Sequence, residues 1–575
     1  MSDYNVRALE VHSLYAWDFP WIMKSLEFIE KNGMNALVLH RNDFIDQIVY
    51  PGKYFGADPD KHYETKFDRY NDIFRKLYKY TPTRRSGPAQ RRSFFKRVLH
   101  EAAKRGIEVY IECKELYFPD VITELYPQLL NNGAICANNP FWWEFTRDKY
   151  TEFFSEFPQV AGIIVSPGTG ESKVAINSNR CTCDYCKKAT KEQWYSNVLY
   201  TMYDVISAAG RKLIVRDFVF DPSAQAEIAS VMEKMPSDVA LALKNTPHDY
   251  YPTYPDNPRI GNVGNHEQWI EFDCMGQYYG WGVGMADLTE DYRRRLAYAK
   301  ERGASGAIFR TDWESLDAQS SFYTPNLINQ YSGAALMLDG NACSEKIHRA
   351  FLENEGWFSP ESTEAQKAEA ASWYTKIMSQ TWPITAKTPY VDDVVFSDSS
   401  LTPTSFEHAY WLAEEKNSLR DWDTSKWEVL YPTKENVLRE IAEKNEAHAM
   451  IKSLEKECLS FRPAAILPEK FEYLCNCFFA NRRYVEFFRA VVNAIVLTRY
   501  VLETKEDRTA PFYSEAVTML SKAMKELAQE QELAQEFYDT TSFNPHIIYT
   551  LMDPDRIAAL RRNLSGHIEK ANISL

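Results

Sequence analysis

Short runs of β-branched and other apolar residues alternate with longer segments of helical periodicity in the first part of the chain. Runs of this length, bounded by Gly or by charged residues, predict buried strands. They lie at residues 7–12, 35–40, 108–113, 162–166, 212–217, 239–244, 269–273 and 306–310. Eight strands with helices between them predict an α/β fold, a (β/α)8 TIM barrel, which we place at residues 1–355.

The pattern changes after residue 355. Apolar residues now recur at spacings of three and four with charges between them, which predicts helices and no clear strand. We therefore expect an all-α C-terminal domain at residues 356–575, with apolar stripes that form its core or a homodimer interface. The predicted helices cover residues 362–380, 404–420, 433–458, 469–503, 511–537 and 553–572.

Polar side chains stand at or just after the ends of the predicted strands. The C-terminal ends of TIM-barrel strands converge on one face, where active sites lie, so these side chains are candidate functional residues. They are His12, His40, Arg41, Glu112, Glu115, Glu171, Arg216, Asp217, Lys244, Asp249, Asp273, Arg310, Asp312 and Glu314. The long second connection contains a basic stretch, residues 83–92, which we predict to be a solvated loop or a rim that attracts an acidic saccharide.

The fourth strand leads into a Pro/Gly-rich turn that presents one carboxylate, in Ile163-Ile-Val-Ser-Pro-Gly-Thr-Gly-Glu171. The turn lacks the spacing of a phosphate loop and carries an acid where phosphate needs a cation. We expect Glu171 to be a proton donor that the apolar strand desolvates. It could instead cap the next helix or pair with a lysine.

Cations at strand ends are candidates for recognising an acidic sugar. Arg216, Lys244 and Arg310 end the fifth, sixth and eighth strands, and a guanidinium can bind a carboxylate through two hydrogen bonds. The alternative is that these cations pair inside the barrel mouth with the aspartates at positions 217, 273 or 312.

Aromatic and imidazole groups complete the predicted substrate site. Trp281 and Trp313 stack on sugar faces or belong to the core. His12 and His40 donate to sugar hydroxyls or are satisfied within the core. Glu112, at the end of the third strand, is a further candidate substrate-binding residue.

The ten cysteines are dispersed except for one cluster, Cys181-Thr-Cys183-Asp-Tyr-Cys186. The C-x-C-x2-C spacing brings three thiolates close enough to share a metal, and Cys136 could supply a fourth ligand in space. A structural zinc and free thiols that pack a loop are both consistent with this pattern. We expect catalysis to need no cofactor, because carboxylates account for hydrolysis.

Composition narrows the class of protein. The formal net charge of −14 argues against a general nucleic-acid binder. No signal peptide and no apolar run long enough for a membrane span is visible. Dispersed cysteines suit a reducing compartment, so we expect a cytoplasmic protein. Aromatic residues make up 14% of the chain, which suits sugar-stacking surfaces as well as large cores.

Several motifs, in this order, resemble the α-glucuronidases of glycoside hydrolase family 67. They are Val165-Ser-Pro-Gly-Thr-Gly-Glu171, Ile214-Val-Arg-Asp-Phe-Val-Phe220, Leu243-Lys-Asn-Thr-Pro-His-Asp249, Ile270-Glu-Phe-Asp-Cys-Met-Gly-Gln-Tyr-Tyr-Gly280, Asp312-Trp-Glu314 and the helix with Asn326 and Asn329. The resemblance covers the barrel and the helical domain but not the family's N-terminal β-domain. It implies that Glu171 is the acid, that Asp249 helps to activate water, and that the reaction inverts the anomeric centre.

One position departs from the family. Gln277 stands where the family has a second carboxylate for water activation, and an amide orients water but cannot accept its proton. Asp249 is then the expected base, although it could be a turn aspartate. We expect a glycoside hydrolase that removes a terminal sugar, an α-linked uronic acid such as glucuronic acid, from an oligosaccharide. The alternatives are a hydrolase of neutral or amino sugars and a non-catalytic carbohydrate-binding barrel.

Overall fold

The computed structural model describes residues 4–114, 116–218, 222–316, 319–506, 511–543 and 545–575. Eight parallel strands close into a barrel, as the sequence predicts, in the spatial order β1-β8-β7-β6-β5-β4-β3-β2. The candidate Glu115 lies outside the described residues. The strands are β1 Val6–Val11, β2 Ala36–His40, β3 Glu108–Lys114, β4 Val160–Ser166, β5 Lys212–Asp217, β6 Ala240–Lys244, β7 Gln268–Asp273 and β8 Gly306–Arg310.

The interior of the barrel is an apolar layer in which small and large side chains complement one another. Ala8, Ala240 and Ala242 leave room for the buried rings of Tyr110 and Trp269, whose centroids lie 5.3 Å apart. Gly306 is required beside them, because a Cβ atom at this position would lie 2.6 Å from the Trp269 ring. This packing fills the interior of the barrel, and active sites of this fold lie above such a layer, at the C-terminal ends of the strands.

Charged side chains occupy the strand positions two residues beyond this layer. Side chains of a strand alternate between its two faces, so residues two apart point the same way. Glu10 follows Ala8, Glu112 follows Tyr110 and Glu271 follows Trp269. Two residues after Ile214 and Ile308, in the same way, come arginines 216 and 310. The strand period thus delivers the predicted polar residues to the barrel mouth.

Helices separate the strands. The basic stretch 83–92, predicted as a loop, lies within the helix Pro82–Lys104, so that prediction was wrong. Helices and helical turns up to the eighth strand are Leu14–Trp17, Phe19–Lys31, Ile45–Gln47, Gly52–Phe55, Lys66–Leu77, Pro82–Lys104, Val121–Leu125, Pro127–Leu129, Phe141–Glu156, Asp184–Lys188, Lys191–Ala208, Pro222–Met232 and Thr289–Glu301. A small hairpin, Leu130–Asn131 with Ala134–Ile135, precedes Phe141–Glu156.

Contacts divide the chain into two compact units. Unit 1 comprises residues 1–245, 257–272 and 296–319, and unit 2 comprises residues 246–256, 273–295 and 320–575. Unit 2 therefore includes segments that precede residue 356. None of the helices in the described part of the chain combines the length and the apolar composition that crossing a membrane requires.

Unit 2 is mainly helical, as predicted. Ala447, Ile451, Leu454 and Cys458 are buried along the helix Lys434–Ser460, at the three/four spacing that the sequence shows. A short hairpin, Tyr390–Val391 with Val394–Val395, was not predicted. The helices and helical turns after β8 are Ser321–Tyr323, Leu327–Leu338, Ser344–Asn354, Glu364–Met378, Thr381–Thr385, Phe406–Trp411, Leu412–Lys416, Leu419–Asp421, Thr424–Lys426, Lys434–Ser460, Pro468–Glu503, Tyr513–Thr540, Pro545–Leu551 and Pro554–Lys570.

Candidate functional site

A cavity of about 420 Å³ opens within unit 1 at the C-terminal ends of β1 and β2. The residues that line it include His12, His40, Tyr117, Lys173 and Glu314. This volume lies in the range of small-molecule sites. The position is the one at which TIM barrels place their active sites, so the cavity is the candidate site.

Five buried ionisable side chains form a connected chain at the strand ends beside the cavity. Glu10 Oε1 is 2.8 Å from His40 Nδ1, and Glu112 Oε1 is 3.2 Å from the same nitrogen. Arg216 Nε lies 2.8 Å from Glu271 Oε2 and 3.3 Å from Glu112 Oε1. All five side chains are almost completely buried. Arg216, expected to bind substrate, is instead engaged by two glutamates, which are not the aspartates considered as its alternative partners.

His12 connects this chain to the cavity wall. Its Nδ1 lies 3.0 Å from Glu10 Oε1, and its Nε2 lies 2.6 Å from Glu314 Oε2. Asp312 fixes the backbone here by accepting from the N–H groups of His12 and Ser13, both at 2.8 Å. The two contacts of its ring hold the His12 imidazole between two carboxylates.

These contacts determine which groups at the cavity carry charge. Burial opposes a charge on His12, but the carboxylates of Glu314 and Glu10 raise its pKa to about 9. Partial desolvation also disfavours an ionised Glu314, although its side chain is 39% exposed. The charge and hydrogen bond of His12, with the charges of Lys114 and Arg310, nevertheless hold its pKa well below the usual range. At neutral pH the cavity wall therefore carries an imidazolium and a carboxylate.

The pKa values of His40 and Glu112 are shifted in the opposite directions, which favour their uncharged forms. Burial and the charge of His12 hold the pKa of His40 well below its usual value. Burial, together with the charges of Glu10 and Glu271, raises the pKa of Glu112 to about 8 although Arg216 opposes the shift. His40 is thus neutral at pH 7, and Glu112 retains its proton.

Glu171 lies on the loop after β4 and forms an ion pair with Lys114, the last residue of β3. The side chain of Glu171 is 45% exposed, whereas Lys114 is buried. The pairing of Glu171 with a lysine, one of the alternatives that the sequence allows, is therefore present. The desolvation expected for Glu171 is not observed. The charge of Lys114 acts on Glu314 as well. Glu171 and Glu314 thus share one cation at the strand ends.

Other predicted residues of unit 1 lie around the same mouth. Lys244 is buried, with its Nζ 3.3 Å from the centre of the Phe218 ring. Arg310 is also buried, and its charge favours ionisation of Glu314. Trp313 is half-buried and precedes Glu314 in the chain.

Four predicted residues belong to unit 2, namely Asp249, Asp273, Gln277 and Trp281. Asp249 is half-buried with a backbone φ of +49°, and its carbonyl accepts from Thr246 Oγ1 at 2.6 Å, which makes it a turn residue in local structure. The Gln277 N–H donates to Asp273 Oδ2 at 2.8 Å. The Trp281 ring is buried, with 1% of the residue exposed, and donates to the Gln277 carbonyl. Trp281 is therefore a core residue, so the stacking role expected for it is not supported.

Sequence reasoning did not include Glu10, Lys114 or Glu271 among the site residues. Glu10 lies two residues before His12, and Lys114 lies two residues after Glu112. The alternation of side chains along a strand was the available signal, because it assigns these residues to the same face as the candidates.

Comparisons with known proteins bear on the fold. No protein-family model matches the chain, and no curated protein matches it. The solved structure of a GH138 enzyme targeting pectin rhamnogalacturonan II is similar with a TM-score of 0.63 and 12% sequence identity, over 99% of this chain and 84% of that chain. This similarity extends over both the barrel and the helices.

Other glycoside hydrolases are more distant. A β-N-acetylhexosaminidase from Bacteroides fragilis has a TM-score of 0.38 at 14% identity over 61% of this chain and 70% of that chain. A similarity this low does not establish a shared fold. The comparisons thus show a fold shared with a glycoside hydrolase of another family. They do not show membership of family 67.

Proposed function

We propose that this chain is a glycoside hydrolase that removes a terminal sugar bound in the cavity at the C-terminal ends of its barrel strands. The observation that supports this proposal is the pair of carboxylates, Glu171 and Glu314, that share the charge of Lys114 at this mouth. Glycosidic hydrolysis needs one acid to protonate the leaving oxygen and one carboxylate to activate water or stabilise the sugar cation. The similar fold of a GH138 enzyme agrees with this class of reaction.

We assign the two roles from the surroundings of each carboxylate. Glu314 remains ionised because of His12, which suits a group that activates water or stabilises positive charge on the sugar ring. Glu171 is not among the residues that line the cavity, but its side chain is 45% exposed at the same strand ends, and we assign it to the leaving oxygen. Asp249 remains a second candidate base from the family resemblance, and Gln277 a water-orienting group.

An α-linked uronic acid is the substrate that we propose to test first. Lys173 and Arg41 line the cavity, and their partners Asp120 and Asp43 can yield to a substrate carboxylate, because ion pairs that reach solvent contribute little. A neutral sugar is the second candidate. The observation that favours it is that the buried Arg216 is already paired with Glu271.

Leaving-group dependence tests the role of Glu171. We expect Glu171→Gln to lower kcat/KM by about 10²–10⁴-fold on glycosides with a poor leaving group, and far less on dinitrophenyl glycosides, which need no proton. Glu314→Gln should lower both rates alike. The control is Glu124→Gln, an exposed carboxylate on the helix Val121–Leu125 that lines no part of the cavity.

Each alternative has its own outcome in this assay. Wild-type rates for Glu171→Gln on both substrates would remove it from the mechanism, and an equal loss on both would assign it a role other than proton donor. Asp249→Asn tests the second base in the same way. Lys173→Met should weaken turnover of uronides and spare neutral glycosides. Tight sugar binding without turnover by the wild type would make the chain a binding protein.

A further inference from the structure

Four cysteine side chains from two different loops of unit 1 meet at one point. Cys136 follows β3, and Cys181, Cys183 and Cys186 follow β4 in the loop that also carries Glu171. Their Sγ atoms all lie within 4.8 Å of one another. All four are free thiols. The sulfur atoms are therefore close enough to share a single ion.

The spacing of the sulfur atoms matches a tetrahedral thiolate site. Four ligands at a Zn–S distance of about 2.3 Å lie about 3.8 Å from one another at the corners of a tetrahedron. Cys136 Sγ lies 3.7 Å from Cys183 Sγ and 3.6 Å from Cys186 Sγ. These two separations are nearly those that a bound ion would impose, and the other sulfur pairs lie within 4.8 Å.

Local structure fixes Cys136 independently of the other three cysteines. The hairpin before it turns at Asn132 and Gly133, which have φ values of +51° and +79°, as a tight Asn-Gly turn requires. The Cys136 N–H donates to the Leu129 carbonyl at 3.0 Å, and its carbonyl accepts from Trp142 Nε1 at 2.9 Å. The fourth ligand is therefore held in position by the hairpin and the following helix.

Hydrogen-bond donors surround the sulfur atoms. Asn131 Nδ2 donates to Cys181 Sγ, and Asn138 Nδ2 donates to Cys186 Sγ, both at 3.4 Å. The backbone N–H of Cys186 donates to Cys183 Sγ, also at 3.4 Å. Donors of this kind stabilise metal-bound thiolates, and their partners are typical of an outer ligand shell. Free thiols that only pack a loop do not require such hydrogen-bond donors.

We propose that Cys136, Cys181, Cys183 and Cys186 bind one structural Zn²⁺ ion that joins the loops after β3 and β4. A site with four thiolate ligands has no open position, so the ion would stabilise structure and take no part in hydrolysis. Four thiolates and Zn²⁺ carry a net charge of −2, and the cluster is flanked in sequence by the cations Arg180, Lys187 and Lys188 and contains the anion Asp184. The ion would therefore hold the loop that presents Glu171.

Metal content and spectroscopy test the site without reference to activity. We expect purified protein to contain about one zinc per chain, and Cys136→Ser or Cys183→Ser to contain less than about 0.2, because three ligands hold zinc much more weakly than four. Cobalt in place of zinc should give the intense visible and near-ultraviolet bands of a tetrahedral thiolate site. The control is Cys343→Ser, an exposed cysteine outside the cluster, which should keep both signals.

Separate outcomes would overturn the proposal. Zinc retained at wild-type level in both cluster variants would place any metal elsewhere. Iron in the protein instead of zinc would reject the assigned ion. A disulfide within the cluster, seen as a mass deficit of the intact protein under non-reducing conditions, would make the cluster a redox pair. If a cluster variant does not fold, removing zinc from wild type with a chelator and adding it back gives the same comparison.

Discussion

Replacing His12 with Gln should remove a pH-dependent part of the stability of the barrel. The pKa of His12 is raised from 6.5 to about 9 in the folded protein, and one pKa unit corresponds to about 1.4 kcal/mol, so the charged form contributes about 3 kcal/mol. Because the folded pKa lies above the unfolded one, this contribution is complete below pH 6.5 and is lost as pH rises through 9. Gln cannot be charged and has no such dependence.

The assay compares thermal unfolding of wild type and His12→Gln between pH 6 and pH 9.5. At pH 6 we expect the variant to unfold about 5 °C or more below wild type, given a few °C per kcal/mol for a unit of this size. At pH 9.5 the two midpoints should nearly coincide. The difference between the proteins cancels groups that do not interact with His12. His40 is the exception, because the charge of His12 lowers its pKa.

His62→Gln provides the matched control, because it removes an exposed imidazole and should follow the wild-type curve at every pH. Glu314→Gln should reproduce part of the His12 effect by removing one of the two carboxylates that hold the imidazolium. Midpoints of wild type and His12→Gln that stay a constant distance apart from pH 6 to 9.5 would refute the reasoning, since they would show that His12 does not change its charge in that window.

Two further predictions concern the charges beside the cavity. Arg216→Met should lower the free energy of unfolding by about 3–5 kcal/mol, because it leaves Glu271 buried without its cation. Combining Arg216→Met with Glu271→Gln should recover part of that loss. A double variant no more stable than the single one in thermal unfolding would contradict this. The second variant, Glu112→Gln, imitates the protonated carboxyl of Glu112. The pKa of Glu112 is raised to about 8 in the folded protein, so the stability of the wild type falls as pH rises from about 4.5 through 8. The variant should match wild type at pH 5 and unfold at a higher temperature at pH 9, and an equal offset at both pH values would contradict the assignment.

The barrel could be predicted from the sequence because its signal is local. Each strand is a short apolar run, and all eight predicted runs correspond to barrel strands. The basic stretch 83–92 was misassigned for an equally local reason. Gly87 and Pro88 resemble a loop, whereas Pro82 occupies the first helical turn, where proline is well tolerated, and the helix continues through Pro88.

The pairing of charges at the mouth could be predicted only in part. The sequence identifies which residues end a strand, but the partner of each depends on the distance across the barrel. Arg216 meets Glu271 on a strand two positions along the barrel wall, which the sequence does not indicate. The sequence suggests that Glu171 could pair with a lysine, but not with which one. Lys114 is the partner because β3 and β4 pair in a register that brings their ends together. Cys136 was a possible fourth ligand, and its approach to the other cysteines depends on a hairpin of only four paired residues.

The cations at the mouth lie at two depths, which bears on substrate recognition. Arg216 is buried beside the cavity, where two glutamates hold it and removing any partner would leave a buried charge. Lys173 lies on the cavity wall, and its partner Asp120 has an 81% exposed side chain, so exchanging that partner for another carboxylate costs little. A substrate carboxylate can therefore compete for the upper cation and not for the lower one. The strand-end arginine organises the floor of the site, and any preference for an acidic sugar must come from the loops above it.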